Sequence, residues 1–546
     1  MASTPKGYSG VALENTSGIQ QLLSATAVSS LPVSLTSSTA LTAATTGMHL
    51  LIRAYNHTAT GTITVAGTAV NSLAVVSETT TTIPILENPG NYADYVTSAV
   101  YGAVNASGVT LGGGLTNGSI TIYGIQAAKR MVLGEFKLVD KRQEHVVPTQ
   151  RGDFSESHIP SLPLADDPEW EYQADLWPDS SSFIFTTGIN ASPTTTAIPA
   201  SPVAILGATS VTTSGTVSAS LQPTTPGMIL VIALTGSPTT AQTVSVTGTN
   251  VYGEPVTEVV VSSTKTTGTW YSYNTFASIA SNGIAYGAFG GTGSITVNGQ
   301  FLWQLSANTS DATLNSFAAC QYDGIGSYVA PDCITDSWEL QWGEDKEAKI
   351  SAKGKCQAVL NVGNFATSTS QVPALTNPLD EAITGWRGLV FIDAISGTPG
   401  TTSFGTAIEG KIACALKQKT THTSAWNPPA RWFSKVDRGR REVMVELKVY
   451  MDATTYQNEY AQAWKRGTRR LIQIQLQGLN AMGTSSGTTY SPGYTFNMPV
   501  RWVEDPTREF TLSQEFVTLT LKGRAYYDPG LGYDLNVTLN SRYQAW

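Results

Sequence analysis

One serine motif of hydrolases is present in the chain, but its surroundings do not fit the chemistry. Residues 483–487 read Gly-Thr-Ser-Ser-Gly, which matches the GxSxG pattern of a nucleophilic serine. That mechanism needs a strand before the serine and a helix after it, to strain the serine and build an oxyanion hole. Residues 488–492 read Thr-Thr-Tyr-Ser-Pro, which is no helix start. The pattern therefore predicts a Ser/Gly loop.

Metal and cofactor chemistry is not indicated either. The histidines lie in different predicted modules, and only two share a segment, 13 residues apart and without an HExxH spacing. They are His49, His57, His145, His158 and His422. No GxxxxGK[ST] loop and no strand-embedded GxGxxG occurs. We expect no metal and no cofactor.

Paired carboxylates and an adhesion tripeptide complete the candidate motifs. Asp166 and Asp167, and Glu504 and Asp505, stand beside prolines, where solvated loops are a simpler interpretation than the acid and base of a glycosidase. Residues 151–153 spell Arg-Gly-Asp, which we interpret as coincidence. No constellation supports catalysis, so the sequence predicts a protein that is not an enzyme.

Cysteine spacing gives no framework. Cys320, Cys333, Cys356 and Cys414 lie at irregular intervals with no CxxC pair. Metal sites demand tighter spacing, so buried free thiols are expected.

Clustered ionic residues suggest a contact between subunits. The hypothesis is that cations near the end of a predicted helix pair with an acidic segment of a neighbouring copy; a solvated face and contact with DNA remain open alternatives. The residues are Arg438, Arg440, Arg441, Arg466, Arg469 and Arg470, with Asp166, Asp167, Glu169 and Glu171 as the acidic partners.

Composition favours a mainly β protein of several domains. The 546 residues allow about three or four domains at roughly 150 residues each. Hydrophobic residues make up 41% and charged residues only 13%, a mixture that suits short strands joined by turns. The net charge of −8 excludes a general nucleic-acid-wrapping surface. No apolar export segment opens the chain and no run of about 18 apolar residues occurs, so neither export nor a membrane partner is expected.

An internal repeat divides the first 306 residues. Residues 46–52 and 61–68 resemble residues 226–232 and 242–249, in the same order. Each pair is followed by a glutamate, an aromatic pair and a Gly-Ser-Ile-Thr strand; the landmarks are Glu78, Tyr92, Tyr95 and 118–122 in one copy, and Glu258, Tyr271, Tyr273 and 293–297 in the other. Short alternating strands over about 100 residues are typical of an immunoglobulin-like β-sandwich. We therefore expect two such modules, at residues 20–127 and 204–306, behind an N-terminal segment of residues 1–19.

Residues 128–203 differ from both modules. Prolines at 148, 160, 163, 168 and 178 interrupt a segment rich in charge. Proline removes a ladder donor, so we expect an extended charged arm, or a part of the C-terminal domain.

The last segment, residues 307–546, alternates apolar and polar residues over long strands at 338–342, 443–450, 472–477 and 516–522. Among them stands one amphipathic helix, with Asp452 as N-cap, Tyr456, Tyr460 and Trp464 on one side, and Gly467 as the stop. The pattern predicts one barrel-like or two-sheet β domain carrying a single helix.

This segment resembles the major tail tube proteins of siphophage-like bacteriophages. The resemblance is carried by Gln-Tyr-Asp-Gly at 321–324, by residues 334–340 and 352–355, and by the later order of strand 442–450, helix 453–466, strand 470–477 and hairpin 510–522 into 533–539. It implies two packed sheets flanked by a helix, in a subunit that forms stacked rings of six-fold or pseudo-six-fold symmetry. It also implies a virion tail location after synthesis in the host cytoplasm. The implied partners are further copies of the chain, the tape-measure protein, and terminator and baseplate proteins, with DNA passing through non-specifically.

The sequence thus predicts a structural virion protein that self-assembles into a tail tube for DNA ejection. Gln473, Gln475 and Gln477 are the candidate lumen-facing residues, because amides are hydrated but do not bind phosphate as Lys or Arg would. A capsid decoration or head–tail connector protein is the first alternative. A surface adhesin or carbohydrate-binding protein is the second.

Overall fold

The fold is that of a computed structural model, which describes the following residues of the chain. They are 8–12, 20–32, 48–69, 75–86, 92–126, 130–131, 134–145, 162–189, 194–199, 202–224, 227–237, 242–264, 267–288, 291–308, 315–322, 327–343, 346–362, 381–405, 407–421, 435–437, 439–510 and 517–542. Strands dominate them, so the expected mainly β class is confirmed.

The first repeated unit is a curled sheet around one apolar core. Its strands pair in the order β2-β8-β3-β6, and β7-β4-β5 continues from β3 through Met48 and Tyr101. Leu50, Ile63 and Ile122 are fully buried in the core. The strands in and beside this unit are β1 (Tyr8–Ala12), β2 (Gln20–Ala27), β3 (Met48–Tyr55), β4 (Thr62–Ala69), β5 (Val75–Thr79), β6 (Tyr92–Val96), β7 (Tyr101–Gly112), β8 (Ser119–Gln126) and β9 (Arg130–Met131).

The charged segment is built into the C-terminal body rather than standing off as an arm. It contributes β10 (Glu135–Val139), β11 (Arg142–His145), β12 (Leu162–Asp166), β13 (Glu169–Asp175), helix α1 (Pro178–Gly188) and β14 (Thr194–Ile198). Trp170 and Tyr172 alternate with charged neighbours and are buried, which anchors β13 in the body core. Among the described residues of this segment, only the β11–β12 hairpin forms a separate two-stranded sheet, so they match the expectation of a part of the C-terminal domain.

The second repeated unit has the same strand order as the first. Its order is β15-β21-β17-β20-β18-β19. The single strand β20 takes the places of both β6 and β7, because it pairs first with β17 and then with β18. The strands are β15 (Val203–Ser210), β16 (Gly215–Val217), β17 (Met228–Gly236), β18 (Gln242–Asn250), β19 (Pro255–Thr264), β20 (Gly268–Tyr286) and β21 (Gly293–Gln300).

The two units also share a closely approached glycine at the same place in the strand order. A Cβ on Gly67 would lie 2.1 Å from the Ala103 carbonyl oxygen, and one on Gly248 would lie 2.0 Å from that of Ser278. Aromatic residues also occupy equivalent places in the two units. Tyr95 lies opposite Ile52, and in the second unit Trp270 lies opposite the matching Ile232.

The C-terminal body consists of two packed sheets. Its further strands are β22 (Leu302–Asn308), β23 (Phe317–Tyr322), β24 (Ser327–Gly343), β25 (Lys346–Lys355), β26 (Leu360–Val362), β27 (Gly388–Ala394), β28 (Ala407–Ala415), β29 (Lys419–Thr421), β30 (Lys435–Asp437) and β31 (Glu442–Tyr450). They are followed by helix α2, whose α-helical turn Ala453–Thr455 continues as a π-helix over Tyr456–Trp464. The chain ends with β32 (Arg470–Gln477), β33 (Gly483–Ser485), β34 (Thr488–Tyr490), β35 (Gly493–Trp502), β36 (Thr507–Phe510), β37 (Val517–Ala525) and β38 (Asn536–Ser541).

We call these sheets A and B. Sheet A runs β10-β13-β25-β24-β28-β31-β37-β36, and sheet B runs β27-β32-β35-β38-β22-β14. They join where Val500 pairs with Ala525 at one end of β35. Their inner faces and α1 form one core, in which Phe185 contacts Trp338 of sheet A and Tyr494 of sheet B at ring-centroid distances of 5.1 and 4.5 Å.

Helix α1 was not expected, because every one of its 11 residues is buried and no polar face marks it in the sequence. Pro178 opens it at a position where its missing N–H costs nothing. Its serines and threonines bond back to the helix itself: Ser182 Oγ donates to the Asp179 carbonyl at 3.0 Å, and Thr187 Oγ1 donates to that of Phe183 at 2.8 Å. These local bonds give the hydroxyls hydrogen-bond partners, without which their burial would destabilise the fold.

The predicted helix α2 is confirmed with its caps. The Asp452 carboxylate accepts the Thr455 N–H at 2.6 Å, and Gly467 ends the helix at a φ of +66°. Tyr456 and Tyr460 stack at 5.4 Å, and Tyr460 and Trp464 at 5.1 Å. Side chains four residues apart lie on the same side of the helix as neighbours, so the three rings can stack.

Strand β24 connects the first repeat to the body. Its first half pairs with β23 and β26, and β26 pairs in parallel with β6 at Val362 and Val96. Its second half, from Ile334 onward, lies between β25 and β28 in sheet A. A small core including Leu51, Val96 and Val329 closes this junction.

Candidate functional site: an uncharged sheet face

The middle of the outer face of sheet B is polar and carries no charge over five adjacent strands, and the exposed Arg501 lies beyond it at the end of β35. One row crosses the sheet as Gln475, Thr495, Thr538, Ser306 and Thr194, each opposite the next. The rows on either side add Gln473, Gln477, Gln304, Thr196, Asn497, Asn536 and Asn540. Alternation in the strands places these residues outward and the apolar ones in the core.

Side-chain hydrogen bonds cross-link this face. The Gln473 amide donates to Asn497 Oδ1 at 2.8 Å, and that of Gln475 donates to Gln473 Oε1 at 2.6 Å. On the same face, toward the β14 edge, Gln304 Nε2 donates to Asn540 Oδ1 at 3.1 Å. Amides that bond to one another hold fixed orientations, so the face is an ordered surface of dipoles without net charge.

The three predicted lumen residues therefore lie together on this face, but they are not equally accessible. Gln475 and Gln477 are half-buried. Gln473 is only 8% exposed, since the loop after β27 crosses it: a Cβ on Gly400 would lie 2.3 Å from Gln473 Oε1. The Asp393 carboxylate orders that loop by accepting the Thr402 N–H at 2.8 Å. Gln473 therefore lies under this loop and contributes to the face through its hydrogen bonds, not as an exposed lining residue.

The sequence reasoning missed most of this face. The alternation at 194–196, 304–306 and 536–540 carries the same signal as the glutamines. It could have been found by searching for polar alternation without charge. The sheet order alone decided that these three segments continue the same face beyond β32 and β35.

Sheet A presents the opposite chemistry. Its outer face alternates cations and carboxylates, with salt bridges such as Lys411 to Glu339 at 2.6 Å and Arg524 to Glu442 at 3.1 Å. A shallow concavity of about 600 Å³ lies on it, floored by small residues such as Ser337 and Ala413 and edged by Glu135, Lys137 and Glu442. The Lys417 ammonium beside Glu442 lowers the pKa of that carboxyl.

Five of the ten ionic residues assigned to contacts between subunits form ion pairs within the chain. Arg441 binds Asp534 at 2.6 Å and also donates to the Ile189 carbonyl at 2.9 Å, next to the end of α1. Arg469 binds Asp528 at 3.4 Å, and Arg470 is paired with the buried Glu459. These bonds hold loops and helix ends in place.

The acidic members of that set are similar. Asp167 binds Lys355 at 2.7 Å, and Glu169 is paired with Lys141. Glu171 is exposed on sheet A, while Arg440 and Arg466 are exposed elsewhere on the body. Arg438 and the side chain of Asp166 lie outside the described residues. A contact between copies through this set stays a hypothesis, centred on the three exposed members.

The two lateral edges of sheet B also differ. The free side of β27 is covered by its own loop, where the Thr402 carbonyl accepts the Ile392 N–H at 3.1 Å and Phe404 N–H donates to the Val390 carbonyl at 2.7 Å. At the other edge, among the described residues, β14 pairs with β22 alone. Its sequence Thr-Thr-Thr-Ala-Ile has neither charge nor proline, the devices that normally protect an edge strand.

The motifs examined for chemistry take structural roles. Residues 483–487 form the β33–β34 hairpin, with Ser486 and Gly487 at positive φ of 52° and 79°, the geometry of a tight two-residue turn and not of a strand leading into a helix. His49 and His57 are buried, bonded to the carbonyls of Thr97 and Asn117 at 2.9 and 3.1 Å, and burial lowers the pKa of both.

Several candidate residues lie outside the described part of the chain: His158, His422, the tripeptide at 151–153 and the side chain of His145. Within the described part, no group of three or more metal-ligating side chains occurs. Cys333, Cys356 and Cys414 are buried, Cys320 is half-buried, and all four are free thiols. None of the described helices is long and apolar enough to cross a bilayer.

Comparison with known proteins does not assign a family. No family model matches the chain, and no curated protein matches it. Among solved structures, the PBSX exported protein XepA is 16% identical, with a TM-score of 0.12, over 54% of this chain and 86% of that one. The VP2 subviral particle of infectious bursal disease virus is 10% identical, with a TM-score of 0.10, over 66% of this chain and 82% of that one. TM-scores this low do not establish a shared fold.

Proposed function

We propose that this chain is a non-enzymatic structural subunit of a phage virion that self-associates into stacked rings forming a tail tube. The observation that carries the proposal is the middle of the outer face of sheet B, where the rows through Gln473, Gln475 and Gln477 form an ordered surface of amides and hydroxyls without charge. A wall of this chemistry holds water yet offers no cation to a phosphate, so DNA can pass along it without being retained.

The edges of sheet B support self-association. Among the described residues, the uncharged β14 edge has no strand on its outer side, while the β27 edge is covered by its own loop. One open edge and one covered edge on the same sheet favour a head-to-tail contact between copies, and a contact of that type closes into a ring when the rotation permits. The tape-measure, terminator and baseplate proteins and transiting DNA belong to this proposal as partners.

Electron microscopy of the purified full chain tests assembly. Negative staining should show rings or hollow filaments, and light scattering should give a mass many times that of one chain. A protein that stays monomeric and instead binds to capsids would contradict the tube and favour a decoration protein.

A matched pair of cysteine variants tests which face lines the lumen. Thr538 lies in the middle of the uncharged face and Thr520 on the outer face of sheet A, and both are half-buried. We would place Thr538→Cys or Thr520→Cys in a Cys320→Ser background and treat assembled tubes with a bulky polyethylene-glycol maleimide. Labelling at residue 520 with protection at residue 538 is expected. Equal labelling of both would show that sheet B does not face an enclosed space.

A further inference from the structure

Two of the four cysteines lie directly opposite each other across neighbouring strands. Ile334 of β24 pairs with Lys355 of β25, and the Gln357 N–H donates to the Pro331 carbonyl at 3.0 Å. Cys333 and Cys356 stand between these two backbone contacts. Antiparallel partners have Cα atoms about 4.5 to 5.5 Å apart, within the span that a disulfide bridges.

Residues directly opposite in an antiparallel pair project to the same face, so both thiols point into the body core, where both residues are fully buried. The Cys333 thiol also donates to the Ala330 carbonyl at 3.3 Å. The other two cysteines are placed differently. The Cys414 thiol contacts the Gly188 carbonyl at 3.7 Å, and Cys320 lies on β23 and is half-buried.

We propose that Cys333 and Cys356 are a latent cross-strand disulfide, formed when the folded protein meets an oxidising small-molecule disulfide. One thiolate attacks a sulfur of the reagent, which forms a mixed disulfide and releases one reduced thiol. The second cysteine thiolate then attacks the protein sulfur of that mixed disulfide and releases the second reduced thiol. The protein loses two electrons and two protons, and the reagent gains them as two thiols.

The position of the bond gives it a consequence. Cys333 is the last residue of β24 before the strand enters sheet A, and the preceding part of β24 pairs with β23 and β26 beside the first repeat. Asp332 next to it has a φ of +50°, so the chain bends sharply there. A covalent bond to β25 would fasten this bend, and with it the connection between the first repeat and the body.

The reaction should be slow in the native state. Burial raises the pKa of the Cys333 thiol well above its ordinary value, so little thiolate is present near neutral pH. The thiolate is the nucleophile in thiol–disulfide exchange. The reaction therefore needs long exposure or transient opening of the strand pair, and it should accelerate as pH rises.

Thiol counting on the full chain tests the proposal. The folded protein would be equilibrated with oxidised glutathione at about pH 8.5, near the ordinary pKa of a thiol. It would then be denatured, alkylated and analysed by intact mass and peptide mapping. We expect two alkylated thiols instead of four, with the peptides carrying Cys333 and Cys356 joined. Retention of four alkylated thiols at equilibrium, or joining of any other pair, would overturn the proposal.

Variants separate the pair from general thiol oxidation. Cys333→Ser and Cys356→Ser should each leave three alkylatable thiols, with no internal disulfide after the same treatment. Cys414→Ser, which changes another buried thiol, should still form the bond and leave one. The oxidised wild-type protein should also unfold at a temperature a few degrees higher than the reduced protein, because the bond restricts the unfolded chain.

Discussion

Each repeated unit carries one buried glutamate whose carboxylate accepts N–H groups where the chain leaves one strand pairing and begins the next. Glu78 is 2% exposed, and its carboxylate accepts the N–H groups of Ser98 and Ala99 at 3.1 and 2.7 Å, between β6 and β7. Glu258 is 8% exposed and accepts the backbone and side-chain N–H groups of Asn274, both at 2.9 Å, at the irregularity in β20. The two glutamates that mark the repeat in the sequence are thus structural acceptors.

A pH dependence follows for Glu78. Burial raises the pKa of its carboxyl, so the folded state holds the proton more tightly than the unfolded state does. Its favourable contribution is therefore complete below the ordinary pKa of about 4.3 and is lost as pH rises through the folded-state pKa. Urea unfolding of wild type and Glu78→Gln at several pH values should show wild type losing stability relative to the variant as pH increases. A constant difference across that range would contradict this role.

Loss of the buried Glu459 should destabilise the body. It is 2% exposed, binds the Arg470 guanidinium with an Nε to Oε1 distance of 2.9 Å, and accepts Trp502 Nε1–H at 3.0 Å. Glu459→Ala leaves both donors without their acceptor, and we expect a loss of about 3 kcal/mol. Unfolding followed by tryptophan fluorescence measures it.

The control is Glu504→Ala. Glu504 is 53% exposed and lies 3.4 Å from Lys522, an exposed pair whose removal should change stability by about 0.5 kcal/mol. Equal losses in the two variants would mean that burial of Glu459 contributes nothing.

At the scale of elements, α1 shows how the body is held together. It lies between the two sheets, and its last carbonyl groups are bound by side chains from different strands. Trp338 Nε1–H donates to the Gly188 carbonyl at 3.0 Å, and the Arg441 cation binds the next carbonyl, that of Ile189, at 2.9 Å. Helix C-terminal carbonyls carry partial negative charge, so a cation there is stabilising.

Close approach of the strands in the repeated units leads to a prediction at this scale. In Gly248→Ala the new methyl group would meet the Ser278 carbonyl oxygen at 2.0 Å, against backbone that cannot rotate away. We expect a loss of about 1 to 3 kcal/mol from overpacking. Gly207→Ala is the matched control in the same unit, since nothing lies within 4 Å of its added Cβ. Thermal unfolding of both variants measures the difference, and a control as unstable as Gly248→Ala would refute the steric explanation.

At the scale of the whole molecule, the two outer faces of the body differ in charge, and salt distinguishes their roles. Salt weakens the attraction between exposed charges such as those on sheet A, and the screening length is about 10 Å at 0.1 M. It has little effect on contacts between uncharged groups. If copies join through the uncharged β14 edge, assemblies should persist when NaCl is raised severalfold, as measured by light scattering. Dissociation at high salt would instead place the contact on sheet A or at the exposed Arg440, Arg466 and Glu171.

Some features of this protein were determined by the sequence itself. Local alternation predicted the β class, and the order of matched landmarks predicted the repeat. Asp452, the aromatic ladder and Gly467 predicted helix α2, because capping and side-chain spacing are local properties of the chain. The GxSxG pattern could be rejected for the same reason, since the residues after it cannot start a helix.

Other features were decided only by the tertiary structure. Helix α1 has no amphipathic stripe, and it exists because two sheets bury all of it. The uncharged face joins segments up to about 346 residues apart, from Thr194 to Asn540, and the sheet order alone makes them neighbours. Arg441, Arg469 and Arg470 looked available to another subunit, yet each has a partner brought to it by the fold. Strand pairing over such distances depends on packing of the whole core, and a local pattern does not encode it.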